Sequence, residues 1–194
     1  MKQHDDLRWF KGKRIVSLLR GGDYAHAGEE EAIKSALKNI PKNPNQLILD
    51  VGCGQGGTAN YLQQQGWGKI VGIDIEKESI EYATKTYPCC EFHASDAAAV
   101  YKIFPNREFD IITIFNAFLV FPKQFDVLKS LRQVAKDDST LVIFEYTDLT
   151  LDDNNPLEVK DDPHNAFIFI KPLKGILSKR RPNFSFYLFT LNAF

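Results

Sequence analysis

Five short apolar runs, at residues 47–51, 69–74, 91–94, 109–115 and 140–145, alternate along the chain with segments whose apolar residues return every three or four positions. A strand buried on both faces reads as a nearly continuous apolar run, and a helix packed on one side reads as a stripe of period 3.6. Their alternation predicts an α/β fold: a doubly wound, mainly parallel sheet with crossover helices. Residues 58–65 form a helical segment closed by Gly66, and 76–86 carry Ile80, Ala83 and Tyr87 at helical spacing before Pro88. A short helix is expected over 97–103, and another from the stripe Phe125, Leu128, Leu131 and Val134. Two helices precede the sheet. The first, over 7–20, is broken by Gly21-Gly22; the second, over 29–39, is stopped by Pro41 and gathers Ile33, Ala36, Leu37 and Ile40 on one face. The triplet Glu29 to Glu31 falls in its first turn, where the helix dipole favours negative charge.

At 194 residues and 44% hydrophobic content, the chain has enough apolar side chains for the core of one domain. The pattern divides it into leading helices (1–45), a sheet-forming core (46–146) and a C-terminal segment (147–194). A net charge of -1 implies no strongly basic surface, which argues against nucleic acid. Cys53, Cys89 and Cys90 show neither disulfide nor zinc spacing, so a reducing compartment is expected. Neither a signal-peptide core nor a run of 18 apolar residues is present, and a cytoplasmic protein without a membrane span is predicted.

The most informative segment is Leu47-Ile-Leu-Asp-Val-Gly-Cys-Gly-Gln-Gly-Gly57. Gly52, Gly54 and Gly57 fit G-x-G-x-x-G, a turn that brings a ligand and the next helix close to the backbone. A glycine turn ahead of a helix attracts anions, which would make a pyrophosphate the default ligand. Asp50 opposes it, because two like charges about 4 Å apart cost on the order of 4 kcal/mol at an effective dielectric near 20. A cationic ligand is expected instead. Other strand ends add candidates. Asp74 closes the second strand and offers two oxygens to ribose hydroxyls; Asp96 and Ala97 follow the third and suit an adenine edge; Asn116 follows the fourth, between aromatics. Helix capping is the alternative role for Asp74 and Asp96.

Asp50-x-Gly52-x-Gly54-x-Gly56 resembles the first motif of the class I S-adenosylmethionine-dependent methyltransferases, and the similarity extends over residues 47–146. The resemblance implies S-adenosylmethionine as cofactor, with S-adenosylhomocysteine as product. It places Gly52 and Gly54 beside the methionine part, with Asp50, Cys53 and Gly56 in the same turn. Asp74 falls on the ribose, Ile75 on the adenine ring, and Asp96 and Ala97 on its edge. It also implies that the leading helices lie over the cofactor and shape the acceptor pocket.

Methyl transfer from a sulfonium is an in-line displacement needing neither metal nor covalent nucleophile. Tyr24 and His26 are the candidates for handling an acceptor's proton. Phe115, Phe118 and Phe121 are candidates for an apolar or cation-binding wall. The expected acceptor is a small molecule. Two other readings stay open: a cofactor-binding protein that has lost turnover, and a nicotinamide-dependent oxidoreductase sharing Gly52, Gly54, Gly57 and the acid at strand two.

Two departures from the family pattern stand out. The turn before strand five, Lys136-Asp137-Asp138-Ser139, lacks the proline and glycines common there. The fold normally ends in a helix and an antiparallel hairpin, whereas here a polar stretch (148–163) leads to apolar runs at 166–170 and 185–191 around a possible helix at 173–179. The basic cluster Lys171, Lys174, Lys179, Arg180 and Arg181 reads as a solvated face. The run from Phe184 must pair within a sheet or a homodimer to avoid aggregation.

Overall fold

The computed structural model describes residues 9–147 and 185–192, with the backbone alone for the two residues ending strand five and for 185–192. The expectations for 1–8, the stretch 148–163, the run 166–170, the helix 173–179 and the basic cluster lie outside the described residues. Strands β1 (Leu47–Val51), β2 (Lys69–Asp74), β3 (Glu91–Ala94), β4 (Phe109–Phe115), β5 (Ala135–Thr147) and β6 (Ser185–Asn192) form one sheet. Their order is β3-β2-β1-β4-β5-β6, and every pairing is parallel. The chain winds outward from β1 to β3 and then crosses to β4, so the crevice of a doubly wound sheet lies between the carboxyl ends of β1 and β4.

Alternation along the strands divides the core into two layers. Leu49, Val51, Ile112, Ile114, Leu141 and Ile143 pack with Val127, Leu128 and Leu131 of helix α6 (Gln124–Gln133). Ile48, Ile111, Phe115, Val142 and Phe144 pack on the other side with Ile33 and Leu37 of α2 (Glu29–Leu37) and Ala59 and Leu62 of α3 (Gly57–Gln64). The expected face of α2 is the buried one. The expected stripe of α6 is shifted: Phe125 is exposed and Val127 takes the inward position. Helix α4 (Lys77–Thr86) connects β2 to β3, while the stretch before β4 is a 3-10 turn followed by the four-residue α5 (Val100–Ile103).

The segment expected as a turn before strand five lies inside β5. Pairing jumps from Phe109↔Ala135 to Ile111↔Thr140, so residues 136–139 bulge out of the ladder, pinned by Lys136 Nζ at 2.5 Å from Asp110 Oδ1. The closing run pairs along β5 from Thr140↔Ser185 to Thr147↔Asn192, in parallel, where the resemblance implied an antiparallel hairpin. Among the described residues no helix is long and apolar enough to cross a membrane.

Helix α1 (Phe10–Arg20) packs the opposite way from an ordinary amphipathic helix. Gly12 and Ser17 are buried, and the side chains of Lys13 and Arg14 are 14% and 30% exposed. Ile15, Leu18 and Leu19 are 55%, 74% and 82% exposed. Its inward face therefore holds through charge. Asp23, in the loop after α1, accepts from Arg14 (2.8 Å) and Ser17 (2.6 Å) on one oxygen and from Tyr82 (2.9 Å) and Tyr87 (2.6 Å) on the other. The N-terminal amide of α1, from Phe10, donates to Glu76.

Candidate active site

The crevice begins where β1 runs into the glycine turn. Gly52 and Cys53 both donate backbone hydrogen bonds to Ile73 O, at 2.8 and 2.9 Å, which folds the turn back over β2. Gly52 has φ +74, and a Cβ there would lie 2.5 Å from the Cβ of Ala117. That contact requires glycine twice over, by dihedral and by space. Gly54, at φ +53, has room above it, with Ala25 and Lys13 the nearest neighbours at 3.8 Å. Gly56 precedes α3 and donates to Cys53 O at 3.0 Å.

Asp50 is 2% exposed. Its Oδ1 accepts from Thr113 Oγ1 at 3.0 Å, and among the described residues its Oδ2 has no hydrogen-bond partner. Burial raises its pKa to about 7, against the opposing pull of the Thr113 hydrogen bond and with a contribution from Asp74. The sequence reading took Asp50 as ionised outright. In the fold it is poised between its two forms near neutrality, and a cation beside it would complete its ionisation. Asn116, just beyond β4, holds φ +49, a conformation asparagine tolerates better than most residues, and its buried Oδ1 also has no partner among the described residues. Buried orphan oxygens are rare in folded proteins. Two of them at neighbouring strand ends suit a ligand that donates hydrogen bonds, such as an ammonium group.

Asp74 joins two stretches of backbone. Oδ2 accepts from Gly54 N at 2.8 Å and Oδ1 from Glu76 N at 2.9 Å, so the carboxylate ties β2 to the glycine turn and to the approach to α4. Each oxygen keeps capacity for a further donor. Ile75 is 68% exposed, as an adenine platform requires. Asp96 caps the 3-10 turn through Oδ1, accepting from Ala98 N at 2.8 Å, and borders a groove of about 370 Å³ with Tyr101, Lys123 and Asp126. Ala97 opens that turn, where backbone amides are left without helical partners. Cys53 is 7% exposed, and burial pushes its thiol pKa well up, so it contributes backbone to the turn and not a reactive thiolate.

The proton-handling candidates sit together, their rings 5.7 Å apart. Tyr24 donates toward Glu30 at 3.4 Å, and its pKa is pushed up to about 12, chiefly by burial and then by Glu30; at neutral pH it is a hydrogen-bond donor. His26 is 1% exposed, stacked 4.9 Å from Phe115, with Nε2 3.0 Å from Thr58 Oγ1 and Nδ1 3.3 Å from Ala27 O. Its pKa is lowered to about 4, chiefly by burial, with the Ala27 carbonyl pulling the other way and Arg20 adding to the fall. The imidazole is thus neutral with both nitrogens engaged, a positioning role more than that of a solvent-facing base. An unfolded imidazole takes up its proton near pH 6.5 and the folded one only near 4. The contribution of His26 to stability therefore falls as pH drops through this window, by about 3 kcal/mol in all. Replacing His26 by Gln removes this titration, so urea unfolding should show the variant gaining on wild type by about this amount as pH falls from 7 to 4; a difference that does not change with pH refutes this account.

The aromatics divide. Phe118 is fully buried in the core with α6, not in an acceptor wall, because the 3-10 turn after β4 directs it inward. Phe115 packs against His26 and Phe144, and Phe121 alone approaches the turn, 3.7 Å from where a Gly52 Cβ would stand. Three residues escaped the sequence reading: Lys13, Asp23 and Glu76. Lys13 Nζ lies 3.4 Å from Asp74 Oδ2 and 3.1 Å from Glu76 Oε2. Their partners stand 61 and 63 residues away, so no local pattern announces them.

Comparison with known proteins agrees with this geometry. Residues 48–138 match the family model for a methyltransferase domain. Phosphoethanolamine N-methyltransferase 1 of Zea mays is 28% identical over 130 residues, covering 65% of this chain and 26% of that protein. The 2-methyl-6-phytyl-1,4-hydroquinone methyltransferase of Synechocystis is 30% identical over 127 residues, 64% of this chain and 38% of its own length. The chain thus spans well under half of either relative. A TehB-like S-adenosylmethionine-dependent methyltransferase from Corynebacterium glutamicum is 25% identical over 68% of each chain, with a TM-score of 0.53. Sheet order, glycine turn and sequence similarity converge: residues 48–138 match a methyltransferase domain, and the fold is similar to that of a solved S-adenosylmethionine-dependent methyltransferase.

Proposed function

We propose that the chain transfers a methyl group from S-adenosylmethionine to a small-molecule acceptor by in-line displacement. The observation that carries this reading is the buried oxygen of Asp50, partnerless among the described residues, on the strand that leads into the glycine turn at the switch point of the sheet. S-adenosylmethionine supplies an electrophilic methyl on a sulfonium, and the chain's residues bind and orient. Asp50 balances the donor's positive charge, the carboxylate of Asp74 takes the ribose hydroxyls, Ile75 packs on the adenine, and Asp96 with the Ala97 amide takes its edge. Phe121 and the loop at Tyr24 and His26 border the acceptor and exclude water; His26 stays neutral and Tyr24 keeps its proton.

The acceptors named for the relatives, phosphoethanolamine and a phytyl hydroquinone, make an amine and a phenol the first classes to test. Free thiols at Cys53, Cys89 and Cys90 support a reducing, cytoplasmic setting. Calorimetry with S-adenosylhomocysteine and a donor-consumption screen over amines and phenols test the proposal. Submicromolar to micromolar binding with turnover on one class is expected. Binding without turnover on any pool would leave a cofactor-binding protein, and protection by a dinucleotide alone would overturn the donor assignment. Asp74→Ala should weaken S-adenosylhomocysteine by about 1 to 3 kcal/mol, since it removes the charged acceptor and loosens the Gly54 amide; unchanged affinity removes Asp74 from the site.

A further inference from the structure

The methyl donor carries two charges in its amino-acid tail, an ammonium and a carboxylate. The crevice collects carboxyl groups at Asp50, Asp74 and Glu76, so the donor's own carboxylate approaches a strongly acidic lining. Like charges at such range repel, and the tail needs a cation within reach.

Lys13 is that cation. Its side chain is 14% exposed, and its ammonium bridges Asp74 Oδ2 and Glu76 Oε2, at 3.4 and 3.1 Å. Asp74 Oδ2 is the same oxygen that receives the Gly54 amide. The ammonium also stands 3.9 Å from where a Gly54 side chain would begin, and its field reaches the Cys53 thiol. Of the three other cations of α1, Arg14 is committed to Asp23, Ser17 and Tyr82 and Arg20 to the His26 carbonyl and Glu29, while Lys11 is on the exposed side of the helix.

We infer that Lys13 recognises the carboxylate of the donor's amino-acid tail, moving from Asp74 to that carboxylate as the ribose hydroxyls take its place on Asp74. The inference rests on the methyl-donor reading above. A lysine suits the exchange because its ammonium is a compact charge on a flexible stem, with three rotatable donors. The movement is short, since Asp74 Oδ2 and the space over Gly54 both border the ammonium, and Glu76 stays within reach throughout. Lys13 is then a specificity residue that separates an intact amino-acid tail from a truncated one.

The test compares S-adenosylhomocysteine with its decarboxylated amine analogue, which keeps the nucleoside, sulfur and ammonium. Calorimetry is run on the wild-type chain and on Lys13→Met, Lys13→Gln and Lys13→Arg; the Gln variant covers the case in which Met does not fold. The wild type should prefer the carboxylate-bearing ligand by roughly tenfold or more, the strength of a charge-assisted hydrogen bond. Lys13→Met and Lys13→Gln should lose that preference, with the analogue's own affinity changed by less than about threefold on the same scale, and Lys13→Arg should restore most of it. Equal weakening of both ligands, or a preference that survives loss of the charge, overturns the inference while leaving the methyl-donor reading intact. If the wild type binds neither ligand, that reading falls and the inference falls with it.

Discussion

Asp50→Asn is expected to make the empty protein more stable and the methyl donor a poorer ligand. The carboxyl is buried with one oxygen unpartnered, and its pKa stands near 7 against 3.8 outside the fold. Between those values the folded state holds a proton that the unfolded state has released, so the contribution of this carboxyl to stability declines as pH rises from 4 to 7, opposite in sign to that of His26. Above 7 the full penalty of a buried charge is present, on the order of 4 kcal/mol. An amide at this position does not ionise, so the variant should melt several degrees above wild type at pH 8, with the difference vanishing near pH 4. Donor affinity should move the other way, at least tenfold weaker, a loss of about 1.4 kcal/mol or more. A donor that ionises Asp50 also expels its proton, close to one per ligand at pH 6, which shows as a buffer-dependent binding enthalpy. Parallel melting curves at every pH, or binding with no proton release, would sink this account of Asp50.

Gly54→Val should abolish cofactor binding while leaving the sheet in place. A β-branched residue at φ +53 carries strain of about 1 to 3 kcal/mol, and its methyl groups enter the space above the turn, toward Ala25 and Lys13. Gly54→Ala separates the two effects, because it carries the strain with less bulk. We expect the alanine variant to lose some stability and part of its affinity for S-adenosylhomocysteine, and the valine variant to show no measurable binding by calorimetry despite a cooperative melt. Retained binding in the valine variant would place the cofactor elsewhere.

The strands were legible because burial on both faces leaves apolar runs that few other structures produce; β1, β2, β3 and β4 coincide with the runs expected. The crevice was legible for a related reason: an acid inside a buried strand, as at Asp50, has no local explanation. Direction and distance were hidden. Nothing in residues 185–192 announces that they pair in parallel, since alternating side chains look alike in either orientation. Phe118 was misplaced because a 3-10 turn redirects it into the core. The largest surprise is α1, whose apolar stripe would ordinarily be assigned to the interior. Its charged face turns inward because Asp23 and the pair Asp74 and Glu76 meet it from two separate places in the chain, and only the folded sheet brings them together.

That inverted helix carries a kinetic consequence. Its leucines already stand in water, so lifting α1 from the sheet wets little new hydrocarbon and breaks mainly charge contacts. Those contacts are largely buried, and salt, which screens exposed charges, reaches them poorly. The rate at which α1 lifts should therefore respond to removal of a buried charge partner and hardly at all to ionic strength, with the strand framework beneath left standing.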